Sequence, residues 1–187
     1  MLVVFYSSFI YRFTVHFIET PRVSSLLYVL VESMFVIMAF TRRKPSQIST
    51  SFITWIIAFS GALLPLLALP TGTRDYFAPQ ALQFLSVLLQ GYGILSLNKS
   101  FGLVAANRGI ITGGFYRFIR HPLYFSYFIG VAGFFINHFS FYNGFLFSVF
   151  GMCQLQRVRH EETLLCQDPA YNAYMKITRW RLLPYVY

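Results

Sequence analysis

Five apolar stretches of helical length, separated by short polar segments, constrain this chain more than any other feature. They run from Val23 to Phe40, Phe52 to Leu69, Pro79 to Leu97, Pro122 to Phe139 and Phe141 to Leu155. A hydrocarbon layer of about 30 Å is crossed by roughly 20 helical residues, so each stretch reads as a membrane span. With 56% hydrophobic and 11% charged residues in 187, the chain is too apolar for an ordinary soluble core. The expected fold class is all-α: a polytopic transmembrane helical protein.

The last two stretches are joined by Asn137, His138, Asn143 and Gly144, turn-forming residues that predict a helical hairpin. Ahead of the five, Leu2 to Ile18 is apolar but interrupted by Arg12 and His16, which leaves three readings open: a sixth span, an interfacial helix or a buried flank. Its charges fall late and no small-residue cleavage site follows, unlike a cleavable signal peptide. Two regions are expected, N-terminal transmembrane helices over 1–75 and a functional core with hairpin and tail over 76–187.

The net charge of +9 is distributed by topology rather than gathered into a nucleic-acid footprint. With Arg42, Arg43 and Lys44 in the cytoplasm, successive spans place Lys99, Arg108, Arg117, Arg120, Arg157, Arg159, Lys176, Arg179 and Arg181 on the same side, and only Arg22 and Arg74 opposite. This asymmetry predicts a multi-pass protein whose 98–122 segment and C-terminal tail share a cytoplasmic face. Cys153 and Cys166 lie at no metal-ligand or redox spacing and read as structural; no metal is expected.

Two polar islands remain. The first contains GGFYRFIRHPLY, residues 113–124. Pro122 suits the first turn of a helix, where its missing N–H is no loss, and His121 then precedes a helix N-terminus that favours an anionic or polar ligand. The ordinary alternative is a basic loop at lipid headgroups. The second island, residues 154–184, holds three of the six carboxylates. Arg157 and Glu161 are four apart and share a helix face, which by itself predicts a surface pair. Yet a charge at the hydrocarbon edge is costly without a role. Tyr171, Tyr174, Trp180, Tyr185 and Tyr187 fit an interfacial aromatic belt.

Taken together, GGFYRFIRHPLY, a hydrophobic hairpin, RVRHEETLL, YNAYM and TRWRLLP resemble the isoprenylcysteine carboxyl methyltransferase family, which is related to phospholipid methyltransferases, over residues 80–184. The resemblance implies a membrane-integral methyltransferase that binds S-adenosylmethionine in a cytoplasmic cofactor pocket without a Rossmann domain. It implies cofactor contacts from Arg108, Gly109, Ile110, Ile111, Tyr116, His121, Pro122, Leu123, Tyr124 and Glu161, and it puts Arg157 at the substrate end. The implied acceptor is lipid-like or isoprenoid and enters from the bilayer, an isoprenylcysteine-type carboxylate first. Such a nucleophile needs no general base, and Arg157 could orient it by a forked contact. An amine or thiol would need a proton acceptor, with Glu162 or His160 nearest. Ser126 stands where the family often has glycine, and E-E-T is a shorter acidic run than is common there. The rival readings are a membrane reductase of the sterol type using NADPH, whose C-terminal region carries a similar RHP-x-Y, and a non-catalytic membrane scaffold.

Overall fold

The computed structural model describes residues 2–41, 43–71, 75–97, 100 and 104–187. The topological readings for Arg42, Arg74 and Lys99 lie outside the described residues. The order is α1 (Leu2–Glu19), α2 (Val23–Thr41), the two-residue strand β1 (Gln47–Ile48), α3 (Phe52–Leu63), α4 (Phe77–Leu97), β2 (Ala106–Asn107), α5 (Pro122–Asn137), α6 (Phe141–Leu165) and α7 (Pro169–Ile177). Two 3-10 turns, Leu64–Leu67 and Gly114–Arg117, complete it.

Local chemistry sets most boundaries. Pro65, within the first 3-10 turn, has no N–H to continue α3. Pro122 opens α5 at its first turn. The Ser140 hydroxyl accepts from the Asn143 N–H to cap α6, and the Asp168 carboxylate accepts from the Ala170 N–H to cap α7, with Pro169 inside the start. The hairpin is α5 and α6, and α6 continues as one helix for ten residues beyond the predicted end of its span, out to Leu165.

Helix α4 carries its polarity inward. Gln83, Ser86, Gln90 and Gly93 are buried, whereas Phe84, Leu88 and Leu95 on the same helix are exposed. Ser86 donates to the backbone carbonyl of Ser126, joining α4 to α5 at 2.7 Å. Apolar-out and small-or-polar-in is how helices pack in lipid, where hydrocarbon supplies no reason to hide leucine. Among the described residues, α4 alone is long and apolar enough to cross a bilayer unaided; Phe52–Leu67 and α5 are apolar but shorter. At 16 residues, α5 spans roughly 24 Å, less than the hydrocarbon layer.

α1 packs onto this bundle through Phe9 and Phe13, which meet Tyr28 of α2, while Tyr28 stacks on Phe134 of α5 with ring centroids 4.1 Å apart. The Arg12 guanidinium, the interruption in that first apolar stretch, donates to the Leu66 carbonyl. Polar groups gather at the two ends of the bundle. At one end, Arg22 pairs with Asp75 at 2.8 Å beside Ser24, Thr71 and His138. At the other, β1 pairs antiparallel with β2 (Gln47 with Asn107, Ile48 with Ala106), and Asn107 donates to Asp168 at 2.8 Å. The N-terminal region thus braces the same end as the tail.

Candidate functional site

The segment before α5 and the segment after α7 run side by side. The Arg120 N–H donates to the Trp180 carbonyl and the His121 N–H to the Arg181 carbonyl, both at 2.9 Å. This pairing draws the tail against the start of α5 and aligns three nitrogen-bearing side chains on one carboxylate. Glu162 of α6 accepts from Arg120 Nε at 2.7 Å and Arg181 Nε at 2.6 Å, meets His121 Nε2 at 3.1 Å, and accepts from the Tyr171 hydroxyl at 3.3 Å. Burial pushes the Glu162 carboxyl up, but the hydrogen bonds and charges of His121 and Arg120 outweigh it and hold the group at about 2. Arg120 also donates to the carbonyls of Thr178 and Arg179, so the knot ties α5, α6 and the tail together.

Beside it opens a cleft shared by the segment before α5, α5 itself, α6 and α7. Arg108, Gly109, Ile110 and Ile111 form one side, Tyr116, His121, Leu123 and Tyr124 the middle, and Gln154, Arg157 and Glu161 of α6 the far wall. Gly109 has φ +97°, left-handed backbone that a side chain resists, and a Cβ built there would meet nothing within 4 Å, so bare backbone faces open space. Arg108 Nε donates to the Arg43 carbonyl at 2.9 Å, which fixes this side from the N-terminal region.

Glu161 and Glu162 are neighbours on one helix and point to different environments, since successive helical residues are turned by about 100°. Glu162 faces the knot. Glu161 lines the cleft and accepts from the Tyr124 hydroxyl at 2.9 Å, and the Arg157 guanidinium lies over the Tyr124 ring, 5.3 Å from its centroid. Tyr116 is pushed well above its ordinary range by burial first and by the Glu161 charge second, so it remains a neutral hydroxyl.

Every residue that the resemblance assigns to the cofactor lines this cleft except Pro122, which is buried at the start of α5. Arg157 lines it too. Glu162 is not among the lining residues. Among the further lining positions that the sequence reading did not single out as site residues are Arg120, Gln154, Tyr171 and Tyr174. Tyr171 and Tyr174, expected in an aromatic belt, are instead buried and pack with Tyr116, and the Tyr174 hydroxyl donates to the Tyr116 carbonyl at 2.6 Å. Their place on one face of the short amphipathic α7 turns them inward, while Tyr185 stays exposed. Burial pushes Tyr174 up to about 12.

A comparison with curated proteins gives no match. Residues 81–167, from within α4 to just past the end of α6 and so including most of the cleft, match the isoprenylcysteine carboxyl methyltransferase (ICMT) family.

Proposed function

We propose that the protein is a multi-pass membrane methyltransferase that moves a methyl group from S-adenosylmethionine, bound in the cleft on the cytoplasmic side, to the carboxylate of an isoprenylcysteine-type lipid acceptor. The family implies a membrane methyltransferase. The observation that carries the finer reading is one cleft lined together by the Glu161 carboxylate, the Arg157 guanidinium, Tyr116 and Tyr124, and the bare backbone of Gly109.

The chemistry of the lining suits the donor. Glu161 is an acceptor for an ammonium group, and the Arg108 side is cationic towards a carboxylate. Tyr116, Leu123 and Ile110 offer walls to an adenine ring, and the backbone at Gly109 permits close approach. S-adenosylmethionine, when bound, supplies an activated methyl group. The residues of the chain then align, desolvate and hold charge, which suffices for an in-line displacement. Arg157, stacked on Tyr124, presents a guanidinium whose fork matches a carboxylate. A carboxylate acceptor gives up no proton, so the reaction asks for no base. That agrees with the neighbouring carboxylate, Glu162, lying outside the cleft lining and already held by two guanidinium groups and an imidazole. The exposed apolar surfaces of α3 and α4 face lipid in this reading, and an acceptor dissolved in the bilayer meets the cleft from that side.

The test is transfer of radiolabel from S-adenosylmethionine to an N-acetyl-S-prenylcysteine by detergent-solubilised protein. The expected product is a base-labile methyl ester whose formation falls at least about tenfold in Arg157→Ala with donor affinity retained. Label in a base-stable amine or thioether product instead would overturn the carboxylate assignment.

A further inference from the structure

We infer that Gln154 is a positioning residue for the acceptor arginine, and that it sets the site's preference for an anionic acceptor by holding Arg157 with a neutral group. The inference rests on the proposed placement of Arg157 at the acceptor.

Gln154 is 1% exposed and sits one turn before Arg157 on α6. Its Oε1 accepts from Arg157 Nη1 at 2.7 Å, and its Nε2 donates to the Gly61 carbonyl of α3 at 3.3 Å. Arginine can only donate and a carbonyl can only accept, so the group between them must do both. An amide does; an aliphatic chain does neither, and a carboxylate would face the carbonyl with a second acceptor. The approach of α3 is close enough to make this clamp rigid. A Cβ added at Gly61 would lie 3.0 Å from Arg157 Cδ and 3.2 Å from Gln154 Oε1, so glycine there lets the arginine lie flat between α3 and the Tyr124 ring. An amide and an aromatic face both orient the guanidinium, and each is an uncharged group. A glutamate at 154 would keep the bond to Arg157 but bring a compensating charge, weakening attraction for an anionic headgroup. Gly61 lies outside the segment that matches the family, so the clamp joins the N-terminal helices to the site.

The test uses full-length protein, S-adenosylmethionine, and an N-acetyl-S-prenylcysteine against its neutral carboxamide as a competitive ligand. Gln154→Leu is expected to raise the acceptor KM about tenfold or more, the scale of a lost hydrogen bond to a charged group, with donor Kd changed less than about twofold. Gln154→Glu, which keeps length and the bond to Arg157, is expected to lose the preference of the wild type for carboxylate over carboxamide. An unchanged acceptor KM in Gln154→Leu, or a Gln154→Glu protein that keeps its carboxylate preference, overturns the role of Gln154 while wild-type donor binding and transfer stand. Wild-type protein that neither binds the donor nor methylates the acceptor overturns the methyltransferase reading, and this inference with it.

Discussion

The two ends of the bundle solve one problem in two ways. Each buries a carboxylate against arginine to tie helices together. At the Asp75 end the carboxylate accepts from Ser24 and Gln80 as well as Arg22, and His138, Asn137 and Asn143 bind the surrounding backbone. At the Glu162 end the knot is as dense, but it stands beside a cleft whose own carboxylate, Glu161, belongs to the next residue along the helix. The difference teaches that buried charge is not itself the signature of a site. A carboxylate already ringed by donors stabilises the fold, and its neighbour on the cleft wall is the one we propose receives a ligand.

Breaking the knots should give the largest effects. Glu162→Gln leaves Arg120 and Arg181 without their counter-charge and is expected to cost about 3–5 kcal/mol in unfolding by heat or denaturant, with donor affinity reduced as the tail loosens. Asp75→Asn removes the partner of buried Arg22 and should cost a similar or somewhat smaller amount, roughly 2–4 kcal/mol, while donor Kd stays unchanged. Equal loss of donor binding in both variants would erase the distinction between the ends.

Acid sharpens the comparison. The Glu162 carboxyl is held at about 2 in the folded protein against an ordinary value of 4.5. Its contribution is therefore fully present above pH 4.5 and disappears as the pH falls through about 2, a loss of about 3 kcal/mol across that window. Asp75 is also held below its ordinary value: burial pushes it up, but hydrogen bonds from Ser24 and Gln80 and the Arg22 charge outweigh that. Both knots therefore weaken in acid. A pH–stability profile of Glu162→Gln should be flatter than that of the wild type between about pH 4.5 and 2, with the residual slope assigned to Asp75 and other carboxylates.

Smaller effects separate structure from ligand. Tyr124→Phe removes one hydrogen bond to Glu161 and is expected to lower donor affinity about three- to tenfold with unfolding changed by less than about 1 kcal/mol. Ser140→Ala, at the hairpin turn near the Asp75 end, should cost about 1 kcal/mol through its lost helix cap and leave donor affinity alone.

The hairpin was legible because Pro122 and the turn residues Asn137, His138, Asn143 and Gly144 carry strong local signals, and of the residues in the RHP-x-Y and R-x-x-x-E-E patterns, His121, Tyr124, Arg157 and Glu161 line the cleft whereas Glu162 does not. The independence of five spans was less so: among the described residues hydropathy and length together single out α4, since a proline shortens α3 and α5 is only 16 residues long. What local signals could not distinguish were neighbours and returns. Glu161 and Glu162 read alike in one dimension and differ only by the turn of a helix. Arg181 reaches Glu162 because the tail doubles back, which no spacing announces. Tyr171 and Tyr174 have the composition of an interfacial belt, and only the docking of α7 shows them buried. Gln154 belongs to no motif; a polar residue within an apolar run was the one available hint.

The central claim is that the Glu161 side of α6, not the Glu162 side, receives the methyl donor. Calorimetric titration of S-adenosylmethionine into detergent-solubilised wild-type, Glu161→Ala and Asp75→Asn proteins tests it most directly. Micromolar binding by the wild type and Asp75→Asn, weakened at least about tenfold in a folded Glu161→Ala protein, is the predicted result. Folded wild-type protein that shows no binding, or a Glu161→Ala protein that binds as tightly as the wild type, would contradict it.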